Sequence, residues 1–180
     1  MTQQAEQLVH LLAQRHQTIG TCESLTAGMV CAAITDVPGA SAVFRGGLVT
    51  YASDLKHSLA GVDAGWIAQH GVINAETARQ MAIGARAVLG TDWAVACTGV
   101  AGPSSQDGAD PGTVWIAVAG PEAVAVRGLN LFGDRAEVRR ASVANCIDFV
   151  SAVCVDSPSG TPREPPSGAD LGRMARNFHP

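Results

Sequence analysis

Hydrophobic and polar residues alternate along the chain with two different periods, which separates predicted helices from predicted strands. Apolar residues three or four positions apart indicate amphipathic helices, whereas short apolar runs between turn residues indicate buried strands. The helices predicted in this way cover residues 2–16, 25–34, a short segment from 53, 75–89 and 135–154. The predicted strands cover residues 18–22, 42–51, 93–97, 114–119 and 123–131.

Turn and capping residues mark several boundaries of these elements. Ser53, Asn74 and Asp134 suit N-cap positions, because their side chains accept hydrogen bonds from the free backbone amides of a helix. The glycine and proline at residues 120–121 separate the last two strands and predict an antiparallel hairpin. The two glycines at residues 46–47 predict a bulge or a close backbone approach in the second strand.

This order of elements predicts the α/β class, and more closely a three-layer α/β/α sandwich with a mixed sheet of about five strands. A chain of 180 residues suits one such domain, which we place at residues 1–155. Residues 156–180 contain five of the nine prolines and no periodic pattern, so we predict a disordered, Pro-rich tail there.

Composition and charge exclude several classes of protein. Aromatic residues make up 4% of the chain and the formal net charge is -4, which gives no basic surface for nucleic acid or an anionic membrane. No apolar run reaches the roughly 18 residues of a membrane-spanning helix, and the polar N-terminal segment lacks a signal-peptide core. The five cysteines are odd in number and include no CxxC pair, which favours free thiols in a reducing compartment, the cytoplasm.

The motifs for metal ions and common cofactors are missing from the sequence. The five histidines are scattered and include no HxH or HExxH pattern. Neither GxGxxG nor GxxxxGK[ST] occurs, so the usual dinucleotide and P-loop fingerprints are missing as well. We therefore predict chemistry that uses neither a metal ion nor a bound cofactor.

Lys56 is the only lysine among twelve basic residues, and the only tyrosine, Tyr51, lies five residues before it. Arginine stays protonated at any relevant pH, whereas a lysine removed from water can lose its proton and act as a base. A lone lysine in an arginine-rich chain therefore indicates a role that arginine cannot fill, although chance in a biased composition explains it equally well. If Lys56 is a base, Tyr51 relays the proton or holds the ammonium group in place.

Two serines are candidate nucleophiles for such a base. Ser24 lies at the predicted turn from the first strand to the second helix, where free backbone amides of that helix can hold an oxyanion. Ser41 lies in the loop before the second strand. The simpler interpretations are an N-cap serine and a loop serine, respectively. Glu23, beside Ser24, either orients a partner or faces solvent.

Small residues and two arginines are candidate ligands for a phosphate or a ribose. Thr98, Gly99 and Gly102 lie in a Gly- and Pro-rich loop directly after the third strand, where ligands gather in open α/β sheets. Arg135 and Arg139 are four residues apart and therefore share one face at the start of the last helix. The alternative for the loop is an ordinary Gly-rich connection between strands, and the alternative for the two arginines is exposure to solvent.

Taken together, these segments resemble the C-terminal domain family of the competence/damage-inducible protein CinA, which includes stand-alone nicotinamide mononucleotide deamidases. The resemblance runs from about residue 5 to residue 150 and rests on several motifs in the same order. These are Glu23 to Gly28 for the family's ESxTGG, Phe44-x-Gly46-Gly47-x-Val49-x-Tyr51 followed by Lys56, Gly71-Val72, Thr98-Gly99-x-Ala101-Gly102-Pro103, Gly112-Thr113-Val114, and Gly133-Asp134-Arg135 with Val138-Arg139.

The resemblance implies an amidohydrolase that converts nicotinamide mononucleotide to nicotinate mononucleotide and ammonia without a metal ion. A serine, Ser24 or Ser41, attacks the amide carbon. Lys56 acts first as base and then as acid, and Tyr51 assists the proton transfer. The residues that the resemblance assigns to substrate binding are Thr26, Thr98, Gly99, Gly102, Arg135 and Arg139. The expected partners are a small nucleotide substrate and a second copy of the chain in a homodimer.

The sequence departs from the family pattern at two places. Ala27 stands where the family has the first glycine of TGG, and the loop after Pro103 lacks the lysine of the family's KPVGTV form. The alternative to an enzyme is therefore a catalytically inactive nucleotide-binding module of the same fold. A dehydrogenase with a Tyr-x-x-x-Lys pair is disfavoured, because four residues separate Tyr51 from Lys56.

Overall fold

The computed structural model describes residues 2–157, so the predicted tail lies outside the described residues apart from its first two positions. The helices are α1 (Thr2–Gln14), α2 (Met29–Thr35), α3 (Ser53–Ala60), α4 (Ala64–His70), α5 (Ala75–Leu89) and α6 (Arg135–Asp156). The strands are β1 (Ile19–Glu23), β2 (Phe44–Val49), β3 (Trp93–Gly99), β4 (Thr113–Ala119) and β5 (Val124–Asn130). A 3₁₀ turn over Ala40–Ala42 precedes β2.

The five strands form one mixed sheet in the order β2-β1-β3-β4-β5. Strand β1 pairs in parallel with β2 and β3, whereas β4 pairs antiparallel with β3 and with β5. Helices α1, α2 and α6 cover one face of the sheet, and α3 and α5 cover the other. The structure therefore confirms the predicted three-layer sandwich and its C-terminal hairpin.

Alternate residues of the central strand β3 face two separate hydrophobic cores. Val95 packs on the side of α1, α2 and α6, while the small side chains of Ala94 and Ala96 face α5. Because β1, β2 and β3 are parallel, their carboxyl ends lie at one edge of the sheet. Such an edge is where open α/β sheets form ligand crevices, and the loops that begin there carry most of the residues discussed below.

Strand β2 contains the predicted bulge and the predicted close approach. Its register to β1 shifts by one residue at Arg45, directly before Gly46. A Cβ atom at Gly47 would overlap the side chains of Thr21 and Cys31. Glycine at this position therefore allows α2 to pack closely on β1.

Two of the three predicted helix caps are confirmed. The side chain of Asn74 accepts a hydrogen bond from the first turn of α5 at 2.8 Å. Asp134 caps α6 and forms a capping box with Glu137. The prediction for Ser53 is wrong: it is the first residue of α3 and makes no capping hydrogen bond, and the N-cap is Ala52.

Helices α2 and α4 differ from the sequence prediction. Helix α2 begins at Met29 rather than at residue 25, because Ala27 and Gly28 have φ angles of 51° and 95°, in the left-handed region. The sequence does not predict α4, whose seven residues include none that is fully buried and therefore show no clear apolar period.

Residues 2–157 contain no helix that is both long enough and apolar enough to cross a membrane. Within the same range, no cluster of three or more His, Cys, Asp or Glu side chains is placed to hold a metal ion. The five cysteines all lie in this range and are free thiols.

Candidate active site

Ser24 follows the last residue of β1 and is held in place by the neighbouring strands. Its backbone N–H donates to the carbonyl oxygen of Cys97 in β3 at 3.1 Å. On the other side, the N–H of Thr50 donates to the carbonyl oxygen of Glu23 at 2.8 Å. The end of β1 is therefore fixed on both sides by backbone hydrogen bonds, and Ser24 is buried at this edge of the sheet.

Lys56 reaches Ser24 from the first turns of α3. Its side chain is almost completely buried, with 1% of its surface exposed. The Nζ atom donates to the backbone carbonyl of Thr50 at 2.8 Å and lies 3.1 Å from Ser24 Oγ. Because a neutral amine has one lone pair, an N–H donated to Thr50 leaves that lone pair free to accept the hydroxyl proton of Ser24.

Burial lowers the pKa of Lys56 below its ordinary value, since the charged ammonium loses its hydration inside the protein. Nearby acidic groups act in the opposite direction but do not outweigh burial; the largest contribution is from Cys22, followed by Cys97 and the carboxylates of Asp107 and Asp54. Burial raises the pKa of the Cys22 thiol to about 12, so that thiol carries no charge near neutral pH. The environment of Lys56 therefore favours a neutral amine beside a hydroxyl group, which is the arrangement of a general base and its nucleophile.

Glu23 positions the Ser24 turn, a role that the sequence did not reveal. Its carboxylate is 1% exposed and accepts three backbone N–H groups of the following segment. Oε2 accepts from Gly28 at 2.9 Å and from Val30 at 3.0 Å, while Oε1 accepts from Cys31 at 2.8 Å. These are the free amides that the sequence assigned to an oxyanion. Glu23 occupies them, so an oxyanion needs other donors.

We expect the substitution Glu23→Gln to lower the free energy of unfolding by about 2 kcal/mol, because a side-chain NH₂ group replaces one acceptor and leaves a buried N–H unpaired. In a chain of this size the loss corresponds to a melting temperature lower by roughly 4–8 °C. Thermal and urea denaturation measure it, with the exposed Glu6→Gln in α1 as the matched control. Equal stability of the two variants would contradict this role of Glu23.

A cavity of about 330 Å³ opens beside Ser24 at the carboxyl edge of the sheet. Its lining consists of Ser24, Leu25, Tyr51, Ile73, residues 99–106 and Arg135. Of the sequence-predicted residues, Ser24, Tyr51, Gly99, Gly102 and Arg135 therefore meet at one cavity. Lys56 lies behind Ser24, within hydrogen-bond distance of its hydroxyl group.

Tyr51 and Arg135 face each other at this cavity. The Tyr51 side chain is 56% exposed, and its hydroxyl oxygen accepts from Arg135 Nη2 at 2.9 Å. Arg135 Nη1 donates to the carbonyl oxygen of Gly102 at 2.9 Å. The expected contact of Tyr51 with the lysine is therefore not formed, because its hydroxyl group pairs with Arg135. The Arg135 guanidinium has only neutral partners among the described residues, so its positive charge is available to an anion.

Arg139 and Thr26 do not reach the cavity, and their assignment to substrate binding is corrected. Arg139 donates to the backbone carbonyls of Leu25 at 2.9 Å and Thr26 at 3.1 Å. The Thr26 side chain is fully buried, and its hydroxyl oxygen lies 3.1 Å from Cys97 Sγ. Both side chains hold the turn that follows Ser24.

The assignment of Thr98 to substrate binding is corrected as well. Its side chain is fully buried, and its hydroxyl group donates to the carbonyl oxygen of Val72 at 2.8 Å. Its neighbour Gly99 does line the cavity, and a Cβ atom there would lie 2.6 Å from the carbonyl oxygen of Thr113. Thr98 thus anchors another segment at the end of β3.

Ser41 lies at the opposite edge of the sheet from Lys56. It is exposed in the 3₁₀ turn before β2, whereas Lys56 follows the end of β2. The six residues of β2 separate the two edges by roughly 20 Å at about 3.3 Å per residue. Within one chain Ser41 is therefore not a partner of Lys56, and that alternative is corrected in favour of Ser24.

Comparison with known proteins identifies the family. The model of the CinA C-terminal domain matches residues 1–154. This chain belongs to the CinA C-terminal domain family. A CinA-like protein from Frankia casuarinae is 43% identical over 149 residues, which cover 83% of this chain and 34% of that protein. A putative competence-damage inducible protein from Levilactobacillus brevis is 44% identical over 145 residues, covering 79% and 35%. The chain spans about a third of the length of these curated relatives.

Solved structures of CinA proteins share the fold. A CinA superfamily protein from Klebsiella pneumoniae matches with a TM-score of 0.83 and 25% identity, over 87% of this chain and 98% of that one. The competence/damage inducible protein CihA from Agrobacterium tumefaciens matches with a TM-score of 0.80 and 31% identity, over 84% and 94%. The mixed five-stranded sheet with helices on both faces is therefore the fold of the CinA domain.

Two residues of this CinA-domain site, Thr50 and Asp107, carry no clear signal in the sequence, whereas Glu23 carries one. Thr50 acts through its backbone carbonyl, which every residue has. Asp107 lies in the loop after Pro103, and its carboxylate accepts from the backbone N–H of Val72 at 2.8 Å. Glu23 offered one usable signal: an acid directly before a small-residue turn and a helix is suited to pair with the free amides of that helix.

Proposed function

We propose that this chain is a metal-independent amidohydrolase that converts nicotinamide mononucleotide to nicotinate mononucleotide and ammonia. The observation that carries the proposal is the buried Nζ of Lys56, 3.1 Å from the hydroxyl oxygen of Ser24, which lines the cavity. A base and a nucleophile in this arrangement support acyl transfer. The family resemblance supplies the substrate.

In the first half of the proposed reaction, neutral Lys56 takes the hydroxyl proton of Ser24. The Ser24 oxygen forms a bond to the carboxamide carbon, and the carbonyl oxygen becomes an oxyanion. When the tetrahedral intermediate collapses, Lys56 returns the proton to the leaving nitrogen, and ammonia departs. The product of this half is an ester between Ser24 and the nicotinoyl group.

In the second half, water hydrolyses this ester. Neutral Lys56 takes a proton from the water molecule, whose oxygen attacks the ester carbon. The Ser24 oxygen then leaves and recovers its proton from Lys56, which restores both side chains and releases the carboxylic acid, whose remaining proton passes to solvent to give nicotinate mononucleotide. One amine therefore serves both halves, because each half takes up and returns one proton.

The oxyanion requires donors other than the α2 amides, which Glu23 occupies. Leu25 and Ala101 both line the cavity, and their backbone N–H groups make no hydrogen bond to another described residue. We propose that the oxyanion is held by free backbone amides of the cavity lining, of which these two are candidates. In other enzymes one such donor contributes about 3 kcal/mol to the stability of the transition state.

Arg135 is the proposed phosphate ligand of the nucleotide. Among the described residues that line the cavity it is the only cationic side chain, and its partners, Tyr51 and the Gly102 carbonyl, are neutral. A phosphate offers the guanidinium charge-assisted hydrogen bonds, which are stronger than those to neutral acceptors. The hydroxyl and amide side chains of residues 104–106 are suited to the ribose hydroxyl groups.

The departure at Ala27 gives no support to an inactive module. Its side chain is exposed and does not line the cavity, so the added methyl group does not occupy the ligand's space. Its left-handed φ angle of 51° costs an alanine about 1 kcal/mol, which is an effect on stability and not on chemistry.

Incubation of the purified chain with nicotinamide mononucleotide tests the proposal. We expect stoichiometric release of ammonia and nicotinate mononucleotide, with the same rate in the presence of a metal chelator. A ligand-induced rise in melting temperature without release of ammonia would contradict the amidase and identify a nucleotide-binding module.

A further inference from the structure

The loop after Pro103 contains a small hairpin. Gln106 and Ala109 exchange two backbone hydrogen bonds, of 3.1 Å and 2.9 Å. Between them, Asp107 and Gly108 have φ angles of 50° and 75°. Positive φ at both central positions, occupied by Asp and Gly, is characteristic of a type I′ turn. The tip of this loop therefore has a defined conformation.

One carboxylate holds this hairpin to the rest of the chain. Asp107 Oδ2 accepts from the backbone N–H of Val72 at 2.8 Å. Within the described residues, this is the only hydrogen bond between segment 103–109 and residues outside the loop. The approach requires glycine at position 71, where a Cβ atom would lie 2.7 Å from Asp107 Oδ2.

The segment that receives Asp107 is itself fixed to the sheet. The carbonyl oxygen of Val72 accepts from the hydroxyl group of Thr98, at the end of β3, at 2.8 Å. Asp107, Val72 and Thr98 therefore connect the hairpin to the strand that borders the cavity. The buried Thr98 hydroxyl group therefore has a structural role, because it anchors the segment to which Asp107 binds.

The residues next to Asp107 form part of the cavity wall. Ser104, Ser105 and Gln106 line the cavity that contains Ser24, and they all precede the tip of the hairpin. Their side chains are neutral hydrogen-bonding groups. Since Lys56 and Ser24 act on the carboxamide, this wall is suited to the part of the substrate that does not react.

We propose that Asp107 is a positioning residue that pins residues 104–106 as the wall for the sugar-phosphate part of the substrate. This inference rests on the proposed amidase function. Residues 104–106 would contact the sugar-phosphate part of the substrate, which does not react. If the Asp107 hydrogen bond is lost and these residues become mobile, substrate and transition state are therefore both bound more weakly. Loss of such uniform binding raises KM and leaves kcat nearly unchanged.

Two substitutions of Asp107 separate the effect of its hydrogen bond to Val72 from the effects of the turn conformation and of the carboxylate charge. Asp107→Gly keeps a residue that adopts positive φ but removes the acceptor, whereas Asp107→Asn keeps an acceptor and removes the charge. For Asp107→Gly we expect KM for nicotinamide mononucleotide to be about tenfold higher than for Asp107→Asn, with the kcat values of the two variants within about threefold of each other. Both substitutions remove a carboxylate that raises the pKa of Lys56, so any effect of the lost charge on kcat is common to the two variants. In hydrogen exchange without ligand, the Val72 amide loses protection in Asp107→Gly only.

Each result either supports or overturns the inference. Unchanged protection of the Val72 amide in Asp107→Gly overturns the claim that Asp107 holds the loop at Val72. Lost protection with an unchanged KM overturns the claim that residues 104–106 contact the substrate. If wild type releases no ammonia, the proposed amidase fails separately. Calorimetry with nicotinate mononucleotide then decides the inference, because tenfold weaker binding by Asp107→Gly supports the wall, and equal or undetectable binding by both proteins overturns it.

Discussion

The substitution Ser24→Ala is expected to lower kcat for nicotinamide mononucleotide by about 10⁴-fold or more, because it removes the atom that forms the covalent intermediate. The Lys56 amine would remain beside the cavity but would have no hydroxyl group to activate. The folded state should change little, since Ser24 contributes one side-chain hydrogen bond, to Lys56. The rate of ammonia release measures the effect, with the melting temperature as the check on folding.

Ser41→Ala is the matched control for this experiment. It makes the same chemical change at an exposed serine on the opposite edge of the sheet. We expect its activity to stay within about twofold of wild type, as for other surface substitutions. A larger loss in Ser41→Ala than in Ser24→Ala would show that the nucleophile has been assigned to the wrong serine.

The substitution Lys56→Met is expected to lower kcat by about 10³-fold or more, because a side chain of similar length replaces the general base without a proton acceptor. Stability should change by less than about 2 kcal/mol. The Thr50 carbonyl loses its donor, which destabilises the fold, while the removal of a buried ionisable amine stabilises it. Ser58→Ala, at an exposed position of the same helix, is the control and should retain activity.

The same variant also tests how Lys56 links stability to pH. Burial lowers the pKa of Lys56 in the folded chain below the ordinary 10.5. At pH values between the folded pKa of Lys56 and the unfolded pKa of 10.5, the unfolded chain binds a proton that the folded chain does not. The free energy of unfolding of wild type therefore rises with pH across this window. This contribution to stability is complete above the unfolded pKa and is lost as pH decreases to the folded pKa, below which both states bind the proton. In Lys56→Met this pH dependence of stability should disappear. An identical pH dependence in both proteins would contradict a lowered pKa of Lys56 in the folded chain.

The elements of the fold were predictable wherever local chemistry fixes both ends. Helix α5 runs from residue 75 to 89 as predicted, because Asn74 caps its start and Gly90 adopts a left-handed conformation at its end. The start of α2 was not predictable in this way. Glu23 and the left-handed Ala27 together delay the helix by four residues, and both effects depend on the packed turn.

The candidate site was predictable at the level of strand ends but not at the level of side-chain direction. Ser24 and Lys56 meet because each follows a parallel strand at the same edge of the sheet. Thr98 also follows this pattern, yet its hydroxyl group turns into the protein. Position at a strand end does not decide whether a side chain faces the cavity or the interior. That choice depends on neighbours distant in sequence.

The single lysine acquires a physical explanation from its surroundings. Eleven of the twelve basic residues are arginines, which stay charged at any relevant pH. Two of them, Arg135 and Arg139, donate to backbone carbonyl oxygens near the cavity. Among the basic side chains of residues 2–157, only that of Lys56 is almost completely buried. A lysine in such a position can give up its proton, whereas an arginine cannot.

The protonation of Lys56 can be measured directly, because the chain contains no other lysine. Protein labelled with ¹⁵N-lysine gives one side-chain nitrogen resonance, whose chemical shift can be followed against pH by NMR. We expect this nitrogen to titrate with a pKa clearly below the ordinary 10.5, as burial requires. A nitrogen that remains an ammonium up to pH 10.5 or above would contradict the assignment of Lys56 as the base.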